Sequence, residues 1–489
     1  MSYRPLPPRS AALLAAAALL ASGPALAPDA RAGDEDQPGL HYRAGALDLT
    51  LTLDAGFGLF SAANAGNGIG STSRTGERAG GRAWAEGFVA PGLAASYDLG
   101  GSRLYGGIKA VGSATRGQGE AQATSTTSDR PEHLGLEEAY LGWASGSSVA
   151  ALGEDAIDIS AGRQGFSVGD GFLIVDGAAE GNRRGAYVIG PRGAFDRTAI
   201  LRVNTAPVRA DLFHLQGSTD QTLMRGTDAA ATRLHGGNIE WFGGEDAARS
   251  DYAARSWYLG ATFLNLYEAD RGVAAARDGM KVYAVRTGGT LLGSLGEAFS
   301  DFALYSEYAV EKNDGAGSKK DARAWYVEPQ YTFPALPWTP RISYRYARFS
   351  GDNNSSDGTD HAWDALYSGG GARGFGSWDQ GEIYARYVGG NSNVASQMIH
   401  LRTQPTDALA VGAIWYWHAY DRRPSGVTDD ALMREVNVYA EWETPLPGLS
   451  LAAVLGAAQA GRGRRQELGT TDANDRTTWL GQIVFGWSF

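Results

Sequence analysis

The chain ends in a stretch whose alternate residues differ in character: Thr477-Thr478-Trp479-Leu480-Gly481-Gln482-Ile483-Val484-Phe485-Gly486-Trp487-Ser488-Phe489. Counted back in steps of two from Phe489, the residues down to Trp479 are apolar, with Gly481 as the one exception. A strand directs alternate side chains to opposite faces, so one face of this strand is strongly apolar. Aromatic side chains at such a strand end are typical of bacterial outer-membrane barrels, whose aromatic girdles mark the membrane interfaces.

The start of the chain has the pattern of an export signal. Residues 11–27 form the only long apolar run, Arg4 and Arg9 precede it, and Ala30-Arg31-Ala32 offers a small-x-small cleavage site. This pattern predicts a signal peptide at 1–32 and a mature barrel at 33–489. An N-terminal membrane anchor is the alternative. The chain has no cysteine, which excludes disulfides, thiol catalysis and cysteine-ligated metals.

Alternating apolar and polar residues recur along the whole chain, and no linker divides it. Leu47-Asp48-Leu49-Thr50-Leu51-Thr52-Leu53-Asp54 alternates at every position. Eighteen strands are predicted on this basis, at 47–54, 82–98, 103–114, 134–144, 155–165, 197–204, 208–216, 232–242, 254–267, 279–289, 299–311, 322–333, 340–350, 379–404, 408–421, 433–444, 449–461 and 477–489.

The connections between these strands alternate in length. Most of those after odd-numbered strands are long, as at 61–81, 166–196 and 351–378, whereas many after even-numbered strands are short, as at 99–102 and 445–448. An even strand number with long external loops and short periplasmic turns is typical of bacterial barrels, and a soluble sandwich or propeller has no reason to show it. The sequence therefore predicts an all-β fold, a transmembrane antiparallel barrel of eighteen strands in the bacterial outer membrane.

The two faces of each strand can be assigned from the charges. A basic residue facing lipid at mid-depth costs roughly 2–4 kcal/mol, so the charged parity must face the lumen. On 340–350, for example, Arg341, Ser343 and Arg345 face inward if Ile342 and Tyr344 meet lipid. The same argument on the other strands predicts a solute pathway lined by Glu307, Glu328, Arg341, Arg345, Gln380, Glu382, Arg386, Glu435 and Glu441.

These inward charges have two interpretations. Mixed charges in a narrow pore focus the electric field and can order a charged solute. The same arginines, with Glu307, Glu328 and Glu382 nearby, could instead form a transverse lattice of ion pairs that supports the barrel. On strand 379–404, the face opposite Gln380, Glu382 and Arg386 is expected to present Ile383, Ala385 and Tyr387 to lipid.

Several short motifs resemble the alginate export family of outer-membrane barrels. They are the run Leu136-Glu137-Glu138-Ala139-Tyr140-Leu141-Gly142-Trp143, then Gly162-Arg163-Gln164, Gly381-Glu382, and Asn391-Ser392-Asn393. The resemblance implies an eighteen-stranded pore with an arginine-rich constriction that passes an anionic polysaccharide, with periplasmic secretion proteins as partners. It also implies that Arg163 lines the pathway. The parity of Arg163 aims it at lipid, so it can face the lumen only if a bulge near Gly162 shifts the register.

Three departures from the family pattern favour a different solute. The family has a basic residue where this chain has Gln380, an arginine on its penultimate strand where 449–461 has none, and a long plugging turn where 445–448 has four residues. The function predicted from the resemblance is export of an anionic polysaccharide or oligosaccharide by a monomeric barrel. The alternative is a general or substrate-selective diffusion porin for small solutes.

No motif predicts catalysis, a metal or a cofactor. The pattern Gly165-Phe166-Ser167-Val168-Gly169 resembles a nucleophile elbow but is followed by a Gly-rich loop instead of a helix. The histidines show no spacing for a metal, and no basic run indicates nucleic acid. Arg462, Arg464 and Arg465 fall in a predicted external loop, where lipopolysaccharide phosphates are the expected neighbours. Outer-membrane lipid is the other expected partner.

Overall fold

The computed structural model describes most of the chain as one closed sheet. The described residues are 39–64, 82–117, 131–175, 177, 184–217, 232–243, 256–267, 276–296, 299–315, 319–354, 356–369, 373–376, 380–469 and 476–489. None of the described helices is long and apolar enough to cross a membrane. The predicted signal peptide at 1–32 lies outside the described residues and stays a prediction.

Nineteen strands are described, and each pairs antiparallel with its neighbours. They are β1 Leu40–Ala44, β2 Leu47–Ala63, β3 Arg82–Asp98, β4 Arg103–Gly117, β5 Glu132–Ala144, β6 Ile157–Gln164, β7 Phe195–Thr205, β8 Val208–Gln216, β9 Arg233–Gly243, β10 Trp257–Tyr267, β11 Lys281–Gly289, β12 Phe302–Asn313, β13 Lys320–Thr332, β14 Arg341–Phe349, β15 Val394–Thr406, β16 Leu409–Tyr420, β17 Ala431–Glu443, β18 Leu449–Ala460 and β19 Thr478–Ser488.

The last strand closes the barrel against the second. β19 pairs with β2 from Trp479 opposite Ala63 to Ser488 opposite Asp54. Phe489 continues this pairing, because it exchanges two backbone hydrogen bonds with Leu53, at 2.7 and 3.0 Å. β1 forms a short hairpin with the first part of β2. Strands β2–β19 therefore form the closed barrel of eighteen strands that the alternation predicts.

The faces follow the predicted parity on nearly all strands. On β14, Ile342 and Tyr344 are exposed on the outer surface, whereas Ser343 and Arg345 are buried inside. The predicted β2 was too short, and β1 was not predicted. The long connections lie at one end of the barrel, which is the external end in bacterial barrels, and Phe489 lies at the other.

The prediction of one strand over 379–404 was wrong in its first half. The strand is β15, Val394–Thr406, and residues 380–393 belong to a loop with a short helix, Tyr384–Tyr387. Ile383 and Tyr387 are buried inside the barrel instead of facing lipid, while Ala385 is exposed. The alternation over five residues suited a strand, but Ile383 and Tyr387 also share one face of a helical turn.

Two long connections fold into the lumen. We call residues 165–194 the first inner loop and residues 350–393 the second inner loop. Their described parts include buried apolar side chains that pack against inward side chains of the strands. The interior of this barrel therefore contains a packed apolar core along part of the wall, in addition to polar wall residues.

Removing the final three residues, 487–489, tests how the barrel closes. The deletion removes both hydrogen bonds to Leu53, each contributing about 0.5–1.5 kcal/mol, and the stacked rings of Trp487 and Phe489. We expect a smaller fraction of protein to migrate as the folded, heat-modifiable form on unboiled gels.

Leu446→Ala is the matched control for this deletion, because Leu446 is an exposed apolar residue in a turn at the same end of the barrel. This variant should fold as the unchanged protein does. Equal folded fractions for the deletion and the unchanged protein would contradict a closing role for the terminal residues.

Candidate functional site

The two inner loops pack against the barrel wall and against each other. In the first inner loop, the ring of Phe166 lies 4.5 Å from that of Phe213 on β8. The Phe172 ring lies 5.5 Å from that of Tyr326 on β13 and 6.3 Å from that of Trp363 in the second inner loop. One isolated β-bridge joins the described backbones of the two loops, between Ile174 and Tyr367. These contacts place apolar side chains across the lumen.

Buried glutamates of the wall hold the first inner loop through its backbone. Glu86 on β3 accepts the N–H groups of residues 188–189, at 2.7 and 3.2 Å. Glu137 on β5 accepts those of residues 193–194, each at 2.8 Å. Hydrogen bonds from two N–H groups compensate the burial of each carboxylate. These strands therefore anchor the returning end of the loop.

Buried glutamates of the wall hold the second inner loop in the same way. Glu435 on β17 accepts the N–H groups of residues 383–384, each at 2.8 Å, and a bond from Asn437. Glu311 on β12 accepts the N–H of Asp364 at 3.0 Å. Both loops are thus fixed to strands that are spread around the barrel.

Arg373 joins the two inner loops to the wall. Its guanidinium donates to Asp170 of the first inner loop and to Glu328 of β13, both at 2.9 Å. The guanidinium carbon also lies 4.1 Å from the centre of the Tyr305 ring. Burial alone would lower the pKa of Arg373, but Glu328 and Asp170 outweigh it and raise that pKa. Tyr326 adds a hydrogen bond to Asp170, at 2.8 Å.

Beside this junction lies a small polar cavity, which we call the arginine pocket. It opens between strands β13–β15 and the second inner loop. Its polar lining is Glu328, Gln330, Arg341, Ser343, Arg345, Arg373 and His400, and Phe375, Gly376 and Met398 complete it. Arginine guanidiniums outnumber the carboxylates here, so the pocket suits an anion.

Arg341 differs from the other two arginines of the pocket. Arg345 lies 3.8 Å from Glu328, and Arg373 donates to the same carboxylate. For the guanidinium of Arg341, by contrast, neither a hydrogen bond nor an ion pair is found among the described residues. Arg402 stands directly opposite it on β15. Like charges in facing positions of a sheet destabilise it. Because Arg402 pairs with Glu441, Arg341 is the one of the two that is placed for an incoming negative charge.

Arg163 lies at a register shift, which was the condition under which it could face the lumen. The pairing of β6 with β7 shifts between Gly162 and Gln164. Arg163 forms an ion pair with Asp196 and donates to the backbone oxygen of Glu137 at 2.8 Å. It therefore lies beside the returning end of the first inner loop, away from the arginine pocket.

The structure separates the predicted pathway residues into groups. Glu328, Arg341 and Arg345 meet in the arginine pocket. In the second inner loop, Glu382 and Arg386 pair with each other at 2.6 Å, and both form hydrogen bonds with Gln482 of β19. Gln380, two residues before Glu382, is buried. The remaining residues are Glu435, which anchors a loop, Glu441, which pairs with Arg402, and Glu307, which is buried opposite Arg286.

Several inward charges do form ion pairs along the wall. Arg286 pairs with Glu240, and Arg209 with Asp211 at 3.1 Å. The lattice interpretation therefore describes part of the lumen, and the arginine pocket is set apart by Arg341.

Sequence reasoning missed Arg373, Asp170 and Arg402. The first two lie in long loops, where alternation gives no orientation. Arg402 has the inward parity of β15 and could have been found from it. Among the described residues, no group of three or more histidines and carboxylates could hold a metal ion.

The chain matches known barrels in sequence and in structure. Residues 111–436 match the model of a family described as alginate export. Among curated protein sequences, none matches this chain significantly.

Solved structures with this fold are porins of about the same length. OccK5 (OpdH) of Pseudomonas aeruginosa is 10% identical, with a TM-score of 0.54, covering 90% of this chain and 98% of that one. OccAB2 of Acinetobacter baumannii is 10% identical, with a TM-score of 0.53 and coverages of 90% and 98%. OpdK of Pseudomonas aeruginosa, solved with vanillate, is 10% identical, with a TM-score of 0.52 and coverages of 90% and 98%. Identities this low show a shared fold.

Replacing Glu86 and Glu435 together by alanine tests the anchoring of the loops. Each change removes hydrogen bonds to a charged group, worth about 1.5–3 kcal/mol apiece. We expect the inner loops to become more mobile, which larger fluctuations of single-channel conductance and faster protease cleavage within the loops would reveal.

Glu154→Ala is the control for the loop anchors, because Glu154 is exposed in a turn at the other end of the barrel. It should leave conductance noise and cleavage unchanged. If the double variant is as quiet and as protease-resistant as the unchanged protein, the glutamates do not hold the loops.

Proposed function

Since this chain belongs to the alginate export family and is an outer-membrane porin, we propose that it passes small organic anions, chiefly carboxylates, through the arginine pocket. The observation that carries this proposal is Arg341. Its guanidinium lines the pocket without an ion pair among the described residues, close to Arg345 and Arg373.

The chemistry of the pocket favours a carboxylate. A guanidinium offers a planar fork of donors that matches two carboxylate oxygens. Ser343, Gln330 and His400 are polar neighbours that can bond hydroxyl groups of the same solute. An acidic sugar or a hydroxy acid combines both features.

The inner loops favour a small solute over a polymer. The apolar core that joins Phe166, Phe172 and Trp363 occupies part of the lumen, and the anchoring glutamates fix it to several strands. A polysaccharide chain could cross only if both inner loops left the lumen. A small anion needs only a local widening of the arginine pocket, which has a volume of ≈ 10 Å³.

The comparisons support the same choice at the level of the fold. OpdK, whose fold this chain shares, was solved with vanillate, which is a small aromatic carboxylate. Passage of an anionic polysaccharide, which the family description suggests, is the competing function. The two differ in the length of solute that can cross.

Ion selectivity tests the role of Arg341. In planar bilayers, the reversal potential of the unchanged protein should indicate a preference for chloride over potassium, although the whole chain carries a net charge of −11. Arg341→Gln should shift the selectivity towards cations, because it removes a positive charge from the lining of the proposed pathway. The shift should shrink in strong salt, where the Debye length is about 3 Å at 1 M.

Arg434→Gln removes a cation from the outer surface and serves as the control for Arg341→Gln. It should leave the reversal potential unchanged. Cation preference in the unchanged protein, unaltered by Arg341→Gln, would refute an anion-binding role of the arginine pocket.

Solute length distinguishes the two functions. In liposome swelling assays, glucuronate should enter readily, while uronate oligomers of increasing length should be excluded, because both inner loops stay in place. Oligomers that cross as fast per molecule as the monomer would favour polysaccharide export instead.

A further inference from the structure

A row of polar side chains crosses the outer surface of six neighbouring strands. In the pairing register these residues face one another from strand to strand. From β8 to β13 they are His214, His235, Asn265, Lys281, Lys312 and Asp321. We call this the outer polar row. It lies near the ends of the strands that carry the long loops, which is the external end.

The adjacent row on the side of the membrane centre is apolar. It consists of Leu212, Gly237, Phe263, Tyr283 and Val310, which also face one another in register. On each of these five strands, the outward-facing side chains therefore change from polar to apolar over two residues. Such a boundary marks the level where the hydrocarbon meets the headgroups.

Positive charge concentrates at this boundary. Lys281 and Lys312 stand opposite each other on β11 and β12, although like charges in facing positions destabilise a sheet. Arg323 lies on β13 opposite Val310 and is exposed. Asp321 is the one carboxylate of the row, and it pairs with Lys312 at 2.6 Å. The cluster keeps an excess of positive charge in a chain that is acidic overall.

A groove lies directly below the outer polar row. On the outer face, Ala210, Gly237 and Ala261 are small, and larger apolar side chains such as Ile239 and Val285 rise around them. The groove has a volume of ≈ 640 Å³, within the roughly 300–1,000 Å³ of ligand sites. A basic cluster above an apolar groove is complementary to a lipid that carries phosphates above its acyl chains.

We propose that strands β8–β13 form a binding site for lipopolysaccharide on the outer surface of the barrel. Lys281, Lys312 and Arg323 contact the phosphates of the lipid A part, and an acyl chain lies in the groove beneath. Basic side chains at this level bind anionic headgroups. The external end of a bacterial outer-membrane barrel is surrounded by this lipid, which is why we assign it in preference to an anionic phospholipid.

The experiment compares lipid binding of the purified full-length protein with that of the triple variant Lys281→Ala, Lys312→Ala and Arg323→Ala. In detergent, lipid A is titrated and binding is followed by native mass spectrometry. Each basic residue near an anionic surface contributes roughly fivefold in affinity, so the triple variant should bind lipid A roughly 100-fold more weakly. Phosphatidylglycerol, titrated in parallel, should bind weakly to both proteins.

Arg434→Ala is the matched control, because Arg434 is also exposed on the outer face near the external end of its strand, on β17. It should retain lipid A affinity within about twofold of the unchanged protein, far less than one basic contact contributes. Equal affinity of the triple variant and the unchanged protein, equal loss in Arg434→Ala, or equal affinity for phosphatidylglycerol would each overturn the proposal.

A bulky residue in the groove tests the acyl-chain contact. Ala261→Trp should fill the groove and weaken lipid A binding while the protein remains folded and heat-modifiable. If Ala261→Trp instead changes the oligomeric state in light scattering, the groove is an interface between copies and the proposal fails. Channel selectivity should be unaffected in all these variants, because none of the changed residues faces the lumen.

Discussion

The lipid around the barrel decides where every strand can carry charge. The outer parity must be apolar between the interfaces, so acidic and basic side chains of the strands collect on the inner wall. A buried carboxylate needs hydrogen-bond donors or a cation. In this chain, wall carboxylates have both kinds of partner. Arg286 forms an ion pair with Glu240, whereas backbone N–H groups of the inner loops donate to Glu86 and Glu435. The charged wall is therefore also what organises the loops.

The inner loops in turn shape the passage. Their apolar side chains form a core with inward residues of the wall, and Arg373 binds a carboxylate from each side of the junction. With Glu328 shared between Arg345 and Arg373, the positive charge of Arg341 is left to face the pocket. The mixed-charge lattice and the proposed anion site are thus parts of one wall, and they differ in whether a cation pairs with a carboxylate.

The same strands present different chemistry on their two faces. Inside, Arg286 of β11 belongs to the ion pairs of the lumen, whereas Lys281 on the outer face lies above the apolar groove. The alternation of side chains separates the two proposed functions, so a change on one face leaves the other largely intact. This separation allows solute passage and lipid contact to be tested independently.

The sequence by itself determined the barrel and the orientation of strand residues. A period of two, combined with the cost of charge in lipid, is sufficient to place Ser343 and Arg345 inside and Tyr344 outside. The same reasoning failed over residues 380–393, because five alternating residues also suit a helical turn inside the lumen. Only the tertiary structure brought Arg373 to Asp170 and Glu328, which are 203 and 45 residues away along the chain. A loop has no repeating direction for its side chains, so its contacts depend on where the closed wall offers partners.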